Sequence, residues 1–92
     1  MTAKEMFEAL GYSRVEDSTM GIQYIKKSNR SEMQRIGMLK TKYMEFYRKH
    51  KDITIKTITE FIDGSKSNSN LESIDLEEFK AIQKQVLELG WK

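Results

Sequence analysis

The two ends of the chain carry the same set of helix-start and helix-end signals. At the N-terminus, Thr2 and Glu5 have the spacing of a capping box, in which each side chain hydrogen-bonds the backbone N–H of the other residue. Gly11 is suited to end this helix in the left-handed conformation, and Tyr12 would then pack back on Phe7. The apolar residues between these signals recur on one helical face: Ala3, Met6, Phe7 and Leu10. The pattern predicts a helix between Thr2 and Gly11.

The C-terminal segment repeats these signals. Asp75 and Glu78 form a second capping box, and Ile74 and Phe79 have the spacing of a hydrophobic staple. The residues expected to form the apolar core stripe are Leu76, Phe79, Ile82, Val86 and Leu89. Gly90 ends this helix, so Trp91 is expected to fold back on Val86.

Residues between the helices alternate in the manner of strands. Residues 22–25 are a short strand candidate, and residues 33–39 and 43–49 predict a β-hairpin with residues 40–42 as its turn. The hairpin register places four apolar side chains on one face, as the pairs Met38–Met44 and Ile36–Phe46. A helical stripe through the same segment is the alternative.

Residues 53–59 favour a further strand, because six of the seven are β-branched. The apolar spacing up to residue 62 also permits a helix capped by Asp52. Residues 63–70 have almost no apolar content and predict a mobile loop. The expected fold is a single α+β domain over residues 1–92: an N-terminal helix, a three- or four-stranded antiparallel meander and a C-terminal helix, with both helices on one face of the sheet.

Composition limits the class of protein. The 92 residues include no cysteine, which excludes a disulfide framework and thiolate chemistry and favours the cytoplasm. No apolar segment approaches the ~20 residues needed to cross a bilayer, and Lys4, Glu5 and Glu8 are incompatible with a secretory signal peptide. We therefore expect a soluble cytoplasmic protein with no membrane partner.

The sequence also offers little catalytic chemistry. His50 is the single histidine and has no nucleophile or orienting carboxylate near it in sequence, and the five glycines form no phosphate-binding motif. The carboxylates near Asp75 fit the first turn of a helix, and residues 63–70 lack the alternating ligands of a calcium loop. These patterns predict a protein that is not an enzyme and that binds no metal or other cofactor.

The two ends of the sequence resemble known proteins. Residues 2–12 (TAKEMFEALGY) resemble the opening of many small uncharacterised proteins from phages and prophages of Gram-positive bacteria, and residues 78–91 are similar to their closing helix. The matched residues are helix caps and core stripes, so no functional residue is carried over. The resemblance implies an accessory protein of a mobile element that acts in the host cytoplasm.

The strongest functional signal is the charge of residues 26–51, which contain nine cations and two anions for a net charge of +7. The predicted hairpin would leave Arg35, Tyr43 and Tyr47 on the face away from the helices, with Lys42 and Lys49 at its rim. Tyrosine and arginine are favoured at the centres of protein interfaces.

We therefore expect a protein partner to bind this face. The alternative is a nucleic-acid-binding module that uses the basic, aromatic hairpin of residues 26–51, because stacking aromatic and cationic side chains together bind single strands. A homodimer formed through the open sheet face is a further possibility.

Overall fold

The computed structural model describes residues 1–27, 38–61, 63–69 and 74–91. It has the expected α+β architecture, with a helix at each end of a meander sheet. In chain order the elements are α1 (Ala3–Ala9), β1 (Ser13–Asp17), β2 (Gly21–Lys27), β3 (Met38–Tyr47), β4 (Asp52–Phe61), β5 (Lys66–Ser69) and α2 (Leu76–Glu88). The strands lie side by side in the order β1-β2-β3-β4-β5, and every neighbouring pair is antiparallel.

Both helix caps form as predicted. The Thr2 hydroxyl accepts a hydrogen bond from the Glu5 N–H at 3.1 Å, and Glu5 accepts one from the Thr2 N–H at 2.8 Å. Gly11 has a φ of 93°, which brings the Tyr12 N–H to 3.0 Å from the Phe7 carbonyl oxygen. Local signals three to five residues apart therefore determine where α1 begins and ends.

The cap of α2 has the same geometry. Asp75 and Glu78 exchange side-chain-to-backbone hydrogen bonds of 2.8 and 3.0 Å. Gly90 has a φ of 73°, and the Trp91 N–H donates to the Val86 carbonyl oxygen at 3.2 Å. The Trp91 ring is partly buried against the core, as the sequence predicts.

The predicted hairpin turn at Thr41 is wrong. Strand β3 continues without a break through residues 40–42 and pairs with β2 on one side and β4 on the other. Met44 accordingly faces Tyr24 and Ile55, whereas the predicted register placed it opposite Met38. Residues 40–42 include no glycine or asparagine that would favour a tight turn, so the alternation continues through them. Ile36 and Arg35 lie outside the described residues.

Three other segments settle an alternative left open by the sequence or differ from the predicted structure. Residues 52–61 form a strand, not the alternative helix. Residues 66–69, predicted to be loop, form β5 against the end of β4. A short turn precedes β5, where Asp63 Oδ1 accepts hydrogen bonds from the Ser65 N–H and hydroxyl at 2.9 and 2.6 Å. The N-terminal edge strand β1 is a further strand that the sequence analysis missed, and it contains a bulge between Arg14 and Glu16.

The core is built from aromatic rings between the helices and one face of the sheet. Phe7 of α1 stacks on Tyr24 of β2 with ring centroids 4.0 Å apart, and Phe46 of β3 meets both rings edge-on. The other buried members of the cluster are Tyr12, Ile22, Met44, Ala81 and Ile82. The partly buried side chains at its margin are Met6, Leu10, Ile55, Val86, Leu89 and Trp91. Of the predicted core residues, Phe7, Ile82, Met44 and Phe46 are confirmed as buried.

The predicted core face of α2 is wrong in its first turn. Leu76 is 65% exposed and Phe79 is 50% exposed, while the helix buries the following residues: Glu78, Ala81, Ile82 and Gln85. Two of these are polar because they meet polar groups inside: Glu78 accepts a hydrogen bond from the Tyr12 hydroxyl, and Gln85 accepts one from the Tyr24 hydroxyl. The helix is thus rotated so that its polar side chains satisfy buried tyrosines.

Candidate functional site: the outer face of the sheet

One face of the sheet is turned away from both helices. Because Met44 and Phe46 point into the core, the alternate side chains of β3 point to the other side. The central side chains of this outer face are Gln23 of β2, Tyr43, Glu45 and Tyr47 of β3, and Lys56 of β4. We refer to these five residues as the outer face.

Glu45 organises the outer face. One of its carboxylate oxygens, Oε2, accepts hydrogen bonds from the Gln23 amide and the Tyr47 hydroxyl, each at 2.9 Å. The other oxygen lies 3.1 Å from the Lys56 ammonium. The hydrogen bond to Glu45 raises the pKa of Tyr47, because it stabilises the protonated phenol beside a negative charge. Tyr47 therefore presents a neutral ring whose orientation is fixed at its hydroxyl.

Tyr43 is held in a similar way. The Lys56 ammonium lies 5.4 Å from the centre of the Tyr43 ring, within the range of a cation–π interaction. Lys56 thereby connects Tyr43 to Glu45, and Glu45 connects to Tyr47. Tyrosine side chains have few rotamers, and the Tyr47 side chain is 37% exposed.

The structure separates the predicted site residues. Tyr43 and Tyr47 lie on the face away from the helices, as predicted. Lys42 does not lie at their rim: it points to the helix side, where its ammonium is 3.0 Å from Glu78 Oε2. Lys49 is exposed in the turn that follows β3. Arg35 lies outside the described residues, so its place at the centre of the surface stays a prediction.

The basic block of residues 26–51 is likewise divided. Lys26, Lys40 and Lys42 alternate with the outer-face residues and point to the helix side, whereas Lys27 points outward. Arg48 is exposed at the opposite end of β3, where it donates to Asp17 and to the Ser18 carbonyl oxygen. The cations that are contiguous in sequence therefore form no single surface among the described residues.

Sequence reasoning missed a second exposed feature, a stripe along α2. Leu76, Phe79 and Leu87 are 65%, 50% and 66% exposed. Apolar residues occupy two sides of this helix, so their spacing alone did not distinguish the buried side. The signal that could have identified it is the pair of polar residues, Glu78 and Gln85, at a spacing of two turns.

Two buried polar clusters tie the helices to the sheet. Burial alone would raise the pKa of Glu78, but hydrogen bonds from the Tyr12 hydroxyl, the Asp75 N–H and the Lys42 ammonium outweigh burial and lower it. Burial raises the pKa of Tyr24, although Arg14 donates to its hydroxyl at 2.7 Å. Each of these groups has a hydrogen-bonding partner, which accounts for its burial.

Three further properties concern metal binding, membrane crossing and similarity to known proteins. Among the described residues, no three carboxylate or imidazole side chains lie close enough to hold a metal ion. Neither described helix has the length and apolar character required to cross a membrane. Comparisons of the chain with protein-family models, curated proteins and solved structures give no match.

Proposed function

We propose that this chain is a non-enzymatic protein that acts by binding a partner protein through the outer face of its sheet. The observation that supports this most is the arrangement of Tyr43 and Tyr47 on a face that neither helix covers, each held by a charged neighbour. Rigid aromatic side chains bury much area at little cost in rotamer entropy, so they are favoured as interface anchors.

The α2 stripe is the competing protein-binding surface. Its members are two leucines and a phenylalanine, and leucine is under-represented among residues that dominate binding energy. The outer face combines tyrosines with charged and polar side chains that contact one another, which is the composition of an interface centre with a polar surround. We therefore assign binding to the outer face.

The proposed setting is a phage or prophage accessory protein in the host cytoplasm. This part of the proposal rests on the resemblance of residues 2–12 and 78–91 to small proteins of that origin. It suggests a protein of the Gram-positive host, or of the phage itself, as the partner.

The test is capture from host lysate with two matched double variants. Tyr43→Ser with Tyr47→Ser alters the outer face, and Leu76→Ser with Leu87→Ser alters the α2 stripe. We expect a partner that binds the parent chain to be lost by the first variant and kept by the second, with both variants folded by circular dichroism. If the tyrosine variant still captured the partner and the leucine variant did not, the binding site would lie on α2 and the proposal would be refuted.

A further inference from the structure

The exposed side of α2 carries apolar and polar residues in an order that reads the same from both ends. An α-helix turns through about 100° per residue, so Leu76 and Leu87 lie almost on one line, three turns apart. Lys80 and Gln83 lie between them on that line, and both are exposed. We call these four residues the central row of α2. Phe79, the third member of the α2 stripe, lies at one flank of the central row.

Charged residues occupy the other flank of the central row. Glu77 and Lys84 lie there, two turns apart. Glu77 is more than half exposed, and its Oε1 is 3.5 Å from the Lys80 ammonium. Its second carboxylate oxygen can therefore accept another cation. Lys84 forms no ion pair with any residue that the structure describes. The flank thus has an anion towards one end and a cation towards the other.

A second copy of α2 that runs antiparallel matches the central row. A two-fold axis midway along the helix places Leu76 of each copy opposite Leu87 of the other, and Lys80 opposite Gln83. Each leucine then meets a leucine, and each lysine meets a neutral amide. In a parallel pair each residue would meet its own counterpart, which would bring two Lys80 ammonium groups together at an unfavourable distance. The order of the residues therefore favours the antiparallel arrangement.

The same two-fold axis also matches the flanks. In an antiparallel pair, equal flanks of the two helices lie against each other. Glu77 of one copy then lies beside Lys84 of the other, offset by about 3 Å along the helix axis, and this ion pair forms twice. On the opposite flank the two Phe79 rings are offset by about 7.5 Å along the axis, within reach of each other. Opposite charges and aromatic rings thus meet on separate edges.

We propose that α2 mediates a two-fold symmetric dimer of this chain, with the α2 stripe buried and the Glu77–Lys84 ion pair formed twice. A helix of 13 residues is about 20 Å long, so the pair buries less than about 1,200 Å² in total, the size of a weak interface. We expect a dissociation constant on the order of 100 µM. The outer face stays open in this dimer, because α2 packs on the other side of the sheet.

Sedimentation equilibrium over chain concentrations of about 10 µM to 1 mM tests the dimer. The mass of the parent chain should rise with concentration towards twice that of the monomer. Leu76→Ser with Leu87→Ser should raise the dissociation constant more than about tenfold, because each change acts twice in a symmetric dimer. The control is Val15→Ser, which alters an apolar side chain of β1 that is 50% exposed and should change it less than about twofold. Circular dichroism verifies that each variant is folded.

Charge reversal tests the antiparallel register. Glu77→Lys and Lys84→Glu should each weaken self-association about fivefold or more, because two like-charged pairs replace two ion pairs. A dye-labelled Glu77→Lys chain should bind the Lys84→Glu chain within about twofold of the parent affinity, since each reversed charge then meets an opposite charge. The matched control is Lys49→Glu, which has the same net charge as Lys84→Glu but should bind the labelled chain about threefold or more weakly.

Four results would overturn the inference. The first is a parent chain that stays monomeric at about 1 mM. The second is a leucine variant that dimerises as the parent does. The third is equal binding of the labelled chain to Lys84→Glu and Lys49→Glu, which would indicate attraction by net charge alone. The fourth is loss of the dimer in Tyr43→Ser with Tyr47→Ser, which would place the interface on the outer face. Partner capture is measured separately, so failure of the dimer is distinguishable from failure of the protein-binding proposal.

Discussion

A double-mutant cycle on Tyr24 and Gln85 tests why α2 buries polar residues. The Tyr24 hydroxyl donates to Gln85 Oε1 at 2.5 Å and accepts hydrogen bonds from Arg14 at 2.7 and 3.2 Å. Gln85→Leu removes the acceptor and leaves a buried hydroxyl proton without a partner. An unsatisfied buried polar group costs about 1–3 kcal/mol, so we expect a loss of unfolding free energy in that range.

Tyr24→Phe has a different consequence. It removes the hydroxyl but leaves Gln85 with a donor, because Arg14 also donates to Oε1 at 3.2 Å. The expected loss is about 1–2 kcal/mol from the missing hydrogen bonds. Arg14 retains its contact with Asp17 at 3.3 Å, so its guanidinium still has a charged partner.

The double variant should lose less than the sum of the two single losses, by about 1 kcal/mol or more, because no hydroxyl is then orphaned. Urea denaturation monitored by circular dichroism measures all four free energies under the same conditions. Additive losses would contradict the reasoning, since they would mean that Gln85 does not satisfy the Tyr24 hydroxyl and that the rotation of α2 has another cause.

Three other expectations concern the fold. Gly21→Ala should destabilise by about 3 kcal/mol or more in urea denaturation, because an added Cβ would lie 2.0 Å from a carbonyl oxygen of strand β3; a loss below about 1 kcal/mol would refute that close approach. Folding lowers the pKa of Glu78, so its contribution to stability is complete above its ordinary pKa of 4.5 and is lost as the pH falls through the folded value. Glu78→Gln should therefore flatten the acid side of the stability profile, whereas the exposed control Glu77→Gln should not. Phe79→Ala should lower the unfolding free energy by less than about 1 kcal/mol, whereas Phe7→Ala should lower it by about 3–5 kcal/mol. Equal losses for the two variants would mean that Phe79 is part of the buried core.

The sequence predicts those parts of the fold that depend on near neighbours. Both helix ends are correct because a cap involves residues only three to five positions apart. The path of β3 was not predictable in the same way, because an alternating segment has the same pattern whether it turns at Thr41 or continues. The partners that decide the question, β2 and β4, are distant in sequence.

The candidate site could be predicted only in part, again because contacts between distant residues decide where its side chains lie. Tyr43 and Tyr47 are four residues apart and share a face in any strand that contains both. Lys42 was placed at their rim because it was expected in a turn, but in a continuous strand it points to the other side and pairs with Glu78. The buried face of α2 could not be chosen from the spacing of its apolar residues, because the helix buries Glu78 and Gln85 against tyrosines from other parts of the chain.

Hydroxyl-radical footprinting of the chain, alone and with its captured partner, tests the protein-binding proposal most directly. In the free chain we expect Tyr47 to be oxidised more than Tyr12 and Tyr24, which are 2% and 0% exposed and serve as internal controls. In the complex the account predicts protection of Tyr43 and Tyr47, with Leu76 and Leu87 oxidised as before. Protection of the two leucines with unchanged oxidation of the two tyrosines would contradict it.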